Sequence, residues 1–215
     1  MKIKLYQDLY ERYSHLALSY NTDRPIAIKG LETRLIRTFE TIGGYGIFEK
    51  YLHRGLMWQR SGDTLNRITS FRGERVPSWS WMAYDGGIKY MDIPLGGAIW
   101  SEDKDMTSPF KLKNEDNPED CGEKGLEAWV CDIVEPQSRR LIMDEPGRSF
   151  AQPLKCVIVG RSNQADGEDN QIHYAIIVSF VIRREGVEIY ERVGVGFLER
   201  QHIVLGDRGA KAHIH

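Results

Sequence analysis

The sequence predicts a mainly β chain with an N-terminal helical hairpin, an α+β protein whose larger part is an antiparallel β-barrel or sandwich of about eight strands. Three observations predict it. Apolar residues recur at helical spacing only as far as about residue 41. Beyond residue 55 the apolar runs shorten to strand length, and Gly, Pro, Asn and Asp separate them. The two longest runs, residues 173–182 and 187–198, flank the turn sequence Arg183-Arg184-Glu185-Gly186 and read as a hairpin. The expected organisation is a helical segment over residues 1–54 packed on a β unit over 55–205, with a C-terminal tail over 206–215. Together these make one compact unit, within reach of a chain of 215 residues.

In chain order, Leu5, Leu9, Tyr13 and Leu16 share one face of a helix over residues 3–17, with Asp8, Glu11 and Arg12 elsewhere on the wheel. Asn21-Thr22-Asp23 offers capping side chains ahead of Pro25, a residue tolerated in a first turn because its missing N–H would be unpaired there. A second helix over 24–41 carries Ile28, Leu31, Leu35 and Phe39 on its apolar face, and Gly43, Gly44 and Gly46 stop it. Residues 47–53 read as a short helix and 55–59 as the first strand. Further strands are expected at 76–82, 90–93, 97–101, 126–134, 154–160, 173–182, 187–198 and 201–205.

Within the strand over 76–82, Trp79 and Trp81 fall on one face and Ser78 and Ser80 on the other, and Asp85-Gly86-Gly87 supplies turn chemistry just after it. The run over 173–182 is almost continuously apolar, as a strand covered on both faces would be. The returning strand alternates, with Val187, Ile189, Val193, Val195 and Phe197 on one face and Glu188, Tyr190, Arg192, Gly194 and Gly196 on the other. Two glycines on one face either relieve crowding on a curved strand or leave room for another group to approach.

Composition excludes several classes. Twenty-nine basic and 31 acidic residues give a formal net charge of −2, so no field gathers nucleic acid or an anionic membrane, and neither partner is expected. Cys121, Cys131 and Cys156 are odd in number and lack zinc-site spacing, which points to free thiols in a reduced, cytoplasmic protein. No apolar run reaches the length of a membrane span and the N-terminus has no signal-peptide core. The carboxylates at 102–105 and 114–120 do not follow a calcium-loop pattern and are interspersed with lysines, so they read as solvated loops and no metal is expected. Residues 163–171 form a second such loop.

Four stretches taken together resemble the region that follows the effector domain in fungal heterokaryon-incompatibility proteins. They are Leu9 to Ser14 with Asn21-Thr22-Asp23-Arg24-Pro25-Ile26-Ala27-Ile28-Lys29-Gly30-Leu31; Leu52-His53-Arg54-Gly55-Leu56-Met57-Trp58; Val76-Pro77-Ser78-Trp79-Ser80-Trp81 with Asp85-Gly86; and Tyr190-Glu191-Arg192-Val193-Gly194-Val195-Gly196. Their order and spacing carry the resemblance, which covers most of the chain. It implies a stand-alone copy of the C-terminal half of such a protein, without the N-terminal incompatibility domain to which that family's cell-death output is ascribed.

No nucleophile elbow, phosphate-binding loop, His-Glu-x-x-His or dinucleotide fingerprint is present, and no cofactor is expected. Trp58, Trp79, Trp81, Trp100 and Trp129 all fall in expected strands, where the plainer reading is that they fill the core. The sharper reading is that some line a cavity, since a closed sheet of about eight strands has room for one small ligand. On that reading Trp79, Trp81, Tyr84, Tyr90, Trp100, Trp129 and His173 contact an apolar small-molecule substrate, and Asp85, Tyr190 and Arg192 are the catalytic candidates. Arg192 has a plainer role as a surface ion pair beside Glu191, and His173 one as a hydrogen-bonded structural histidine.

Two functions from different classes follow. The first is a cofactor-free cyclase or isomerase of fungal secondary metabolism, for example a pericyclic, Diels–Alder-type ring closure, which needs a shaped apolar cavity and one or two hydrogen-bond donors. The second is a non-enzymatic recognition or regulatory module of heterokaryon incompatibility. The first is favoured because a recognition module without its effector triggers nothing unless it acts in trans. A homo-oligomer is left open. A cavity of roughly several hundred Å³ opening beside Trp79, Trp81 or Tyr84 separates the two, a filled interior speaking against the enzyme.

Overall fold

The computed structural model describes residues 2–16, 24–62, 65–68, 76–110, 125–134, 140–164, 167, 169–204 and 211–215. Helices α1 (Lys2–Ser14) and α2 (Arg24–Phe39) run antiparallel, tied at one end by Lys2 Nζ donating to Thr38 O at 3.2 Å and at the other by Tyr13 Oη donating to Arg24 O at 3.0 Å. The hairpin is the expected one, but α1 buries a different stripe. Ile3, Tyr6, Tyr10 and Ser14 face the core, while Leu5 is 54% and Leu16 55% exposed. Both stripes have helical spacing, and the tyrosine stripe wins because each ring brings more area and an aromatic neighbour. Tyr6 stacks on Tyr51 and meets Phe48 and Tyr90 edge-on. On α2, Ile28, Leu35 and Phe39 are buried as expected and Leu31 packs partly buried against the same core. The capping residues Asn21, Thr22 and Asp23 lie outside the described residues.

A short pair β1 (Gly43–Gly44) and β2 (Ile47–Phe48) follows, then helix α3 (Leu52–Leu56) and strands β3 (Trp58–Arg60), β4 (Asn66–Arg67), β5 (Tyr84–Asp85) and β6 (Ile88–Tyr90). These form three two-stranded ladders, β1–β2, β3–β6 and β4–β5. The expected short helix over 47–53 is thus a strand, a 3-10 turn and the start of α3, and the first of the longer ladders begins at Trp58. Helix α1 holds the edge of β6 with side chains: Ser14 Oγ accepts from Ile88 N at 2.8 Å and Glu11 Oε1 from Tyr90 N at 2.7 Å.

The large sheet comprises β7 (Ala98–Trp100), β8 (Met106–Thr107), β9 (Leu126–Ala128), β10 (Cys131–Ile133), β11 (Leu141–Met143), β12 (Lys155–Ser162), β13 (Ile172–Arg184), β14 (Val187–Glu199), β15 (Ile203–Val204) and β16 (Ala212–Ile214). Its order is β15-β10-β12-β13-β14-β16-β9-β8, with β7 also on β12 and β11 also on β14. The protein is therefore mainly β with an N-terminal helix pair, as predicted, in a curled sheet that no pairing among the described residues closes from β15 to β8. Every pairing is antiparallel except β14 with β16. Among the described residues no helix is long and apolar enough to cross a membrane.

The hairpin β13–β14 is the spine. Its register slips by one residue at Val193, between the pairs Ile177↔Gly194 and Val178↔Arg192. This bulge corrects the expected alternation, because one extra residue exchanges the faces of everything beyond it. Tyr190 packs in the main core with Val195, whereas Val193 turns to a second cluster on the other face with Cys131, Cys156, Ala175 and Ile177. Gly194 and Gly196 make room for β11: a Cβ on Gly194 would stand 2.6 Å from Ile142 O.

Three further expectations are corrected. Residues 76–82 are not a strand. Ser80 N donates to Pro77 O at 3.0 Å, Ser80 Oγ caps the 3-10 turn Trp81–Ala83 by accepting from Met82 N, and both Ser78 and Ser80 are buried. Serine hydroxyls that bond nearby backbone compete with a ladder, and here they win. The run over 126–134 breaks into β9 and β10 at Trp129 and Val130. Finally, the C-terminus is no loose tail: β16 lies between β14 and β9, with Ile214 fully buried.

Candidate functional site

The three residues put forward as catalytic are each engaged with a different partner. Arg192, 0% exposed, donates from Nε and Nη2 to the two carboxylate oxygens of Asp144 at 3.0 and 3.2 Å, from Nη1 to Leu56 O at 2.7 Å and from Nη2 to Trp58 O at 2.5 Å. Its Cζ lies 3.3 Å from the centroid of a Trp58 ring. The surface ion pair expected for Arg192 is replaced by a buried one with Asp144, because the bulge at Val193 turns Arg192 inward, and the neighbouring Glu191 pairs with Arg148. Burial pushes the Asp144 carboxyl above its usual value, against the pull of this guanidinium. Asp85 pairs with the buried Arg24 at 3.0 Å, and Tyr190 donates to Glu188 Oε2 at 2.8 Å.

Stretches set apart in the sequence meet here. Arg192 N donates to Ser78 Oγ at 2.8 Å, Ser78 Oγ donates to His215 O, and Trp58 Nε1 donates to Trp79 O at 2.9 Å. Arg24, joined to Asp85, also donates to Ser14 O at 3.0 Å and so brings in the first stretch.

Four of the seven expected contact residues pack in this core. Trp81 lies 5.3 Å from Tyr10 and 6.2 Å from Tyr13, Trp79 6.1 Å from both Tyr45 and Phe110, Tyr84 5.6 Å from Trp58, and Tyr90 5.9 Å from Tyr6, by ring centroids. All four are buried. The Trp79 and Trp81 indole nitrogens and the Tyr90 hydroxyl have no hydrogen-bond partner among the described residues. Both indoles have edge-on aromatic neighbours, Tyr13 for Trp81 and Tyr45 and Phe110 for Trp79.

Trp100, Trp129 and His173 are elsewhere, and together. Strands β7 and β10 share one edge of β12, β10 pairing at Cys131↔Cys156 and β7 at Gly160↔Trp100 and Arg161↔Ile99. Between them opens a cleft of about 330 Å³ whose walls include Trp100, Trp129, Ile158, Arg161, His173 and Arg200. Gly160 seats Trp100, since a Cβ there would stand 2.7 Å from the ring, and His53 stacks on Trp100 at 5.7 Å. Trp129 is held by N donating to Asp105 O at 3.2 Å and Nε1 to Lys104 O at 3.1 Å.

The polar wall is organised by Gln171. Its Oε1 accepts from Arg161 Nη1 at 3.3 Å, its carbonyl accepts from Arg200 N at 3.0 Å, and the same carbonyl lies 3.1 Å from His173 Nδ1. A carbonyl only accepts, so Nδ1 carries the proton and Nε2 is left as an acceptor. Burial lowers the His173 pKa and Arg200 and Arg161 add to the effect, so the ring is neutral at pH 7. Arg161, Arg200 and Gln171 were not singled out in the sequence. They meet only through the register of β12 on β13 and the turn after β14. Among the described residues no three His, Cys, Asp or Glu side chains are placed to hold a metal, and residues 114–120 lie outside them.

No family model, no curated protein and no solved structure matches this chain.

Proposed function

We propose that the chain is a recognition and regulatory module of the heterokaryon-incompatibility type, acting in the fungal cytoplasm by binding and without a cofactor. One observation carries this reading: three of the stretches that resemble that family meet at the buried Arg192, the first joins the third through Arg24 and Asp85, and their described polar residues at these junctions are engaged with one another. Asp85, Tyr190 and Arg192 each have a partner, and Trp79, Trp81, Tyr84 and Tyr90 are core residues. Such residues build a rigid scaffold on which a binding surface is presented.

A second reading, a cofactor-free cyclase or isomerase for an apolar small molecule, is favoured by Trp100, Trp129 and His173 lining one cleft of about 330 Å³. A ring closure asks only for shaped walls and a polar group to orient the substrate. Either form is open to homo-oligomers. One pair of measurements separates the readings. Expression in one of two otherwise compatible fungal strains is expected to change the viability of fused cells, while incubation with fungal extracts leaves every compound unconverted by mass spectrometry. Conversion that is lost in His173→Ala, without an effect on fusion, would overturn the recognition reading.

A further inference from the structure

We infer that the cleft between β7 and β10 binds a flat aromatic anion, in the simplest case an aromatic carboxylate, held by Arg161 and Arg200 against the indoles of Trp100 and Trp129. The inference does not depend on whether the ligand is recognised or converted. It rests on which charges in the cleft are already answered. Glu102 is paired with Lys104 at 2.7 Å, Asp105 is engaged as well, and the imidazole of His173 is neutral. Among the described residues Arg161 and Arg200 bond only to neutral oxygens, Gln171 Oε1 at 3.3 Å and Ile203 O at 2.7 Å, and neither pairs with a carboxylate. Each guanidinium has five N–H donors, so most of its capacity is left over from these bonds. A carboxylate fits that capacity with paired, charge-assisted bonds.

The walls set the rest of the ligand. Two indoles and Ile158 give apolar, flat surfaces, and a volume of about 330 Å³ lies at the small end of ligand pockets. Nε2 of His173 adds an acceptor for a ring hydroxyl or N–H. The bare edge of β12 does not compete for the ligand, because Ser101 N and Oγ already donate to Val159 O and Ile158 O at 3.0 and 2.8 Å.

The test is calorimetric titration of the full chain with 2-naphthoate and with its neutral isostere 2-naphthamide. Charge-assisted bonds predict that naphthoate binds at least about ten-fold more tightly. Arg161→Gln with Arg200→Gln is expected to erase that preference, and Trp129→Ala to weaken both ligands alike. Arg161→Gln alone, at an exposed strand position, keeps the test valid if the double variant fails to fold, and is expected to reduce the preference in part. Equal affinity for acid and amide, a preference that survives the arginine changes, or no binding of either ligand would overturn the inference.

Discussion

A guanidinium with no exposed surface must find all its compensation inside the protein, and Arg192 finds it in Asp144, two backbone carbonyls and the face of Trp58. Removing one member leaves the other charged and dry, which costs roughly 3–5 kcal/mol. Asp144→Ala should therefore lower the unfolding free energy by about that amount in urea, and Arg192→Met placed on top of it should recover part of the loss. Additive losses would show that the pair does not couple. Arg192 is a candidate from the sequence, but nothing there singles out Asp144, 48 residues away; only the fold brings the two together. Gly46 makes a second residue-scale case. Its φ is +76°, and a Cβ would stand 2.3 Å from Trp81 Nε1. Gly46→Ala is expected to cost about 2–5 kcal/mol, strain plus overpacking. Gly186→Ala, with φ +82° and open space around it, bears the strain alone and should cost about 1 kcal/mol. Equal melting shifts would remove the packing term. For His173, burial sets the folded pKa below its ordinary 6.5, and Arg161 and Arg200 press the same way. The unfolded chain then binds more protons below about pH 6.5, so stability falls as pH falls through that window. His173→Gln should flatten the loss between about pH 7 and 5 in urea midpoints; an unchanged acid limb would assign it to other groups.

At the scale of elements, hydrophobic pattern located the long strands and misplaced the short pieces. β13 and β14 announce themselves because 13 residues each of apolar and alternating sequence leave little choice. The stretch Pro77-Ser78-Trp79-Ser80-Trp81 alternates as a strand would but serves as a buried turn, since its two serines spend their hydroxyls on Tyr45 O, Met82 N and His215 O. Period-two spacing says nothing about such bonds, two of which reach residues far away in the chain. β16 went unread for a different reason: three residues at a chain end, Ala212–Ile214, form a strand only because β14 and β9 stand ready on either side. The consequence is measurable. Ile214, the penultimate residue, is fully buried, so Ile214→Ala should destabilise by about 2–5 kcal/mol, like a change in any core strand. A cost under about 0.5 kcal/mol, the level of a surface change, would mean that the end of the chain is dispensable.

For the molecule as a whole, the sequence could show two kinds of structure but not how they share a core. One cluster runs from Ile3, Tyr6 and Tyr10 on α1 through Ile28 and Phe39 on α2 to Trp58, Tyr90, Val157, Ile176, Tyr190 and Ile214. The hinge points are polar and equally shared: Glu11 and Ser14 bond β6, and Arg24 bonds Asp85 on β5. Helices whose buried stripe is half of a common core have no reason to be stable apart from the sheet, because most helical stability in a protein comes from packing an amphipathic face. The helix pair and the sheet should therefore unfold together. Far-ultraviolet circular dichroism follows the helices, and tryptophan emission follows Trp58, Trp79 and Trp81 at the junction and Trp100 and Trp129 in the cleft. The two signals are expected to trace one urea transition with one midpoint. Tyr10→Ala, which removes a ring stacked on Phe48 and tilted against Trp81, should move both curves to lower urea by the same amount, for a loss of roughly 3–5 kcal/mol. If the helical signal is lost first and the emission of the sheet tryptophans survives it, the hairpin is an appendage with a stability of its own, and the residues of α1 cannot be holding Trp81 in place.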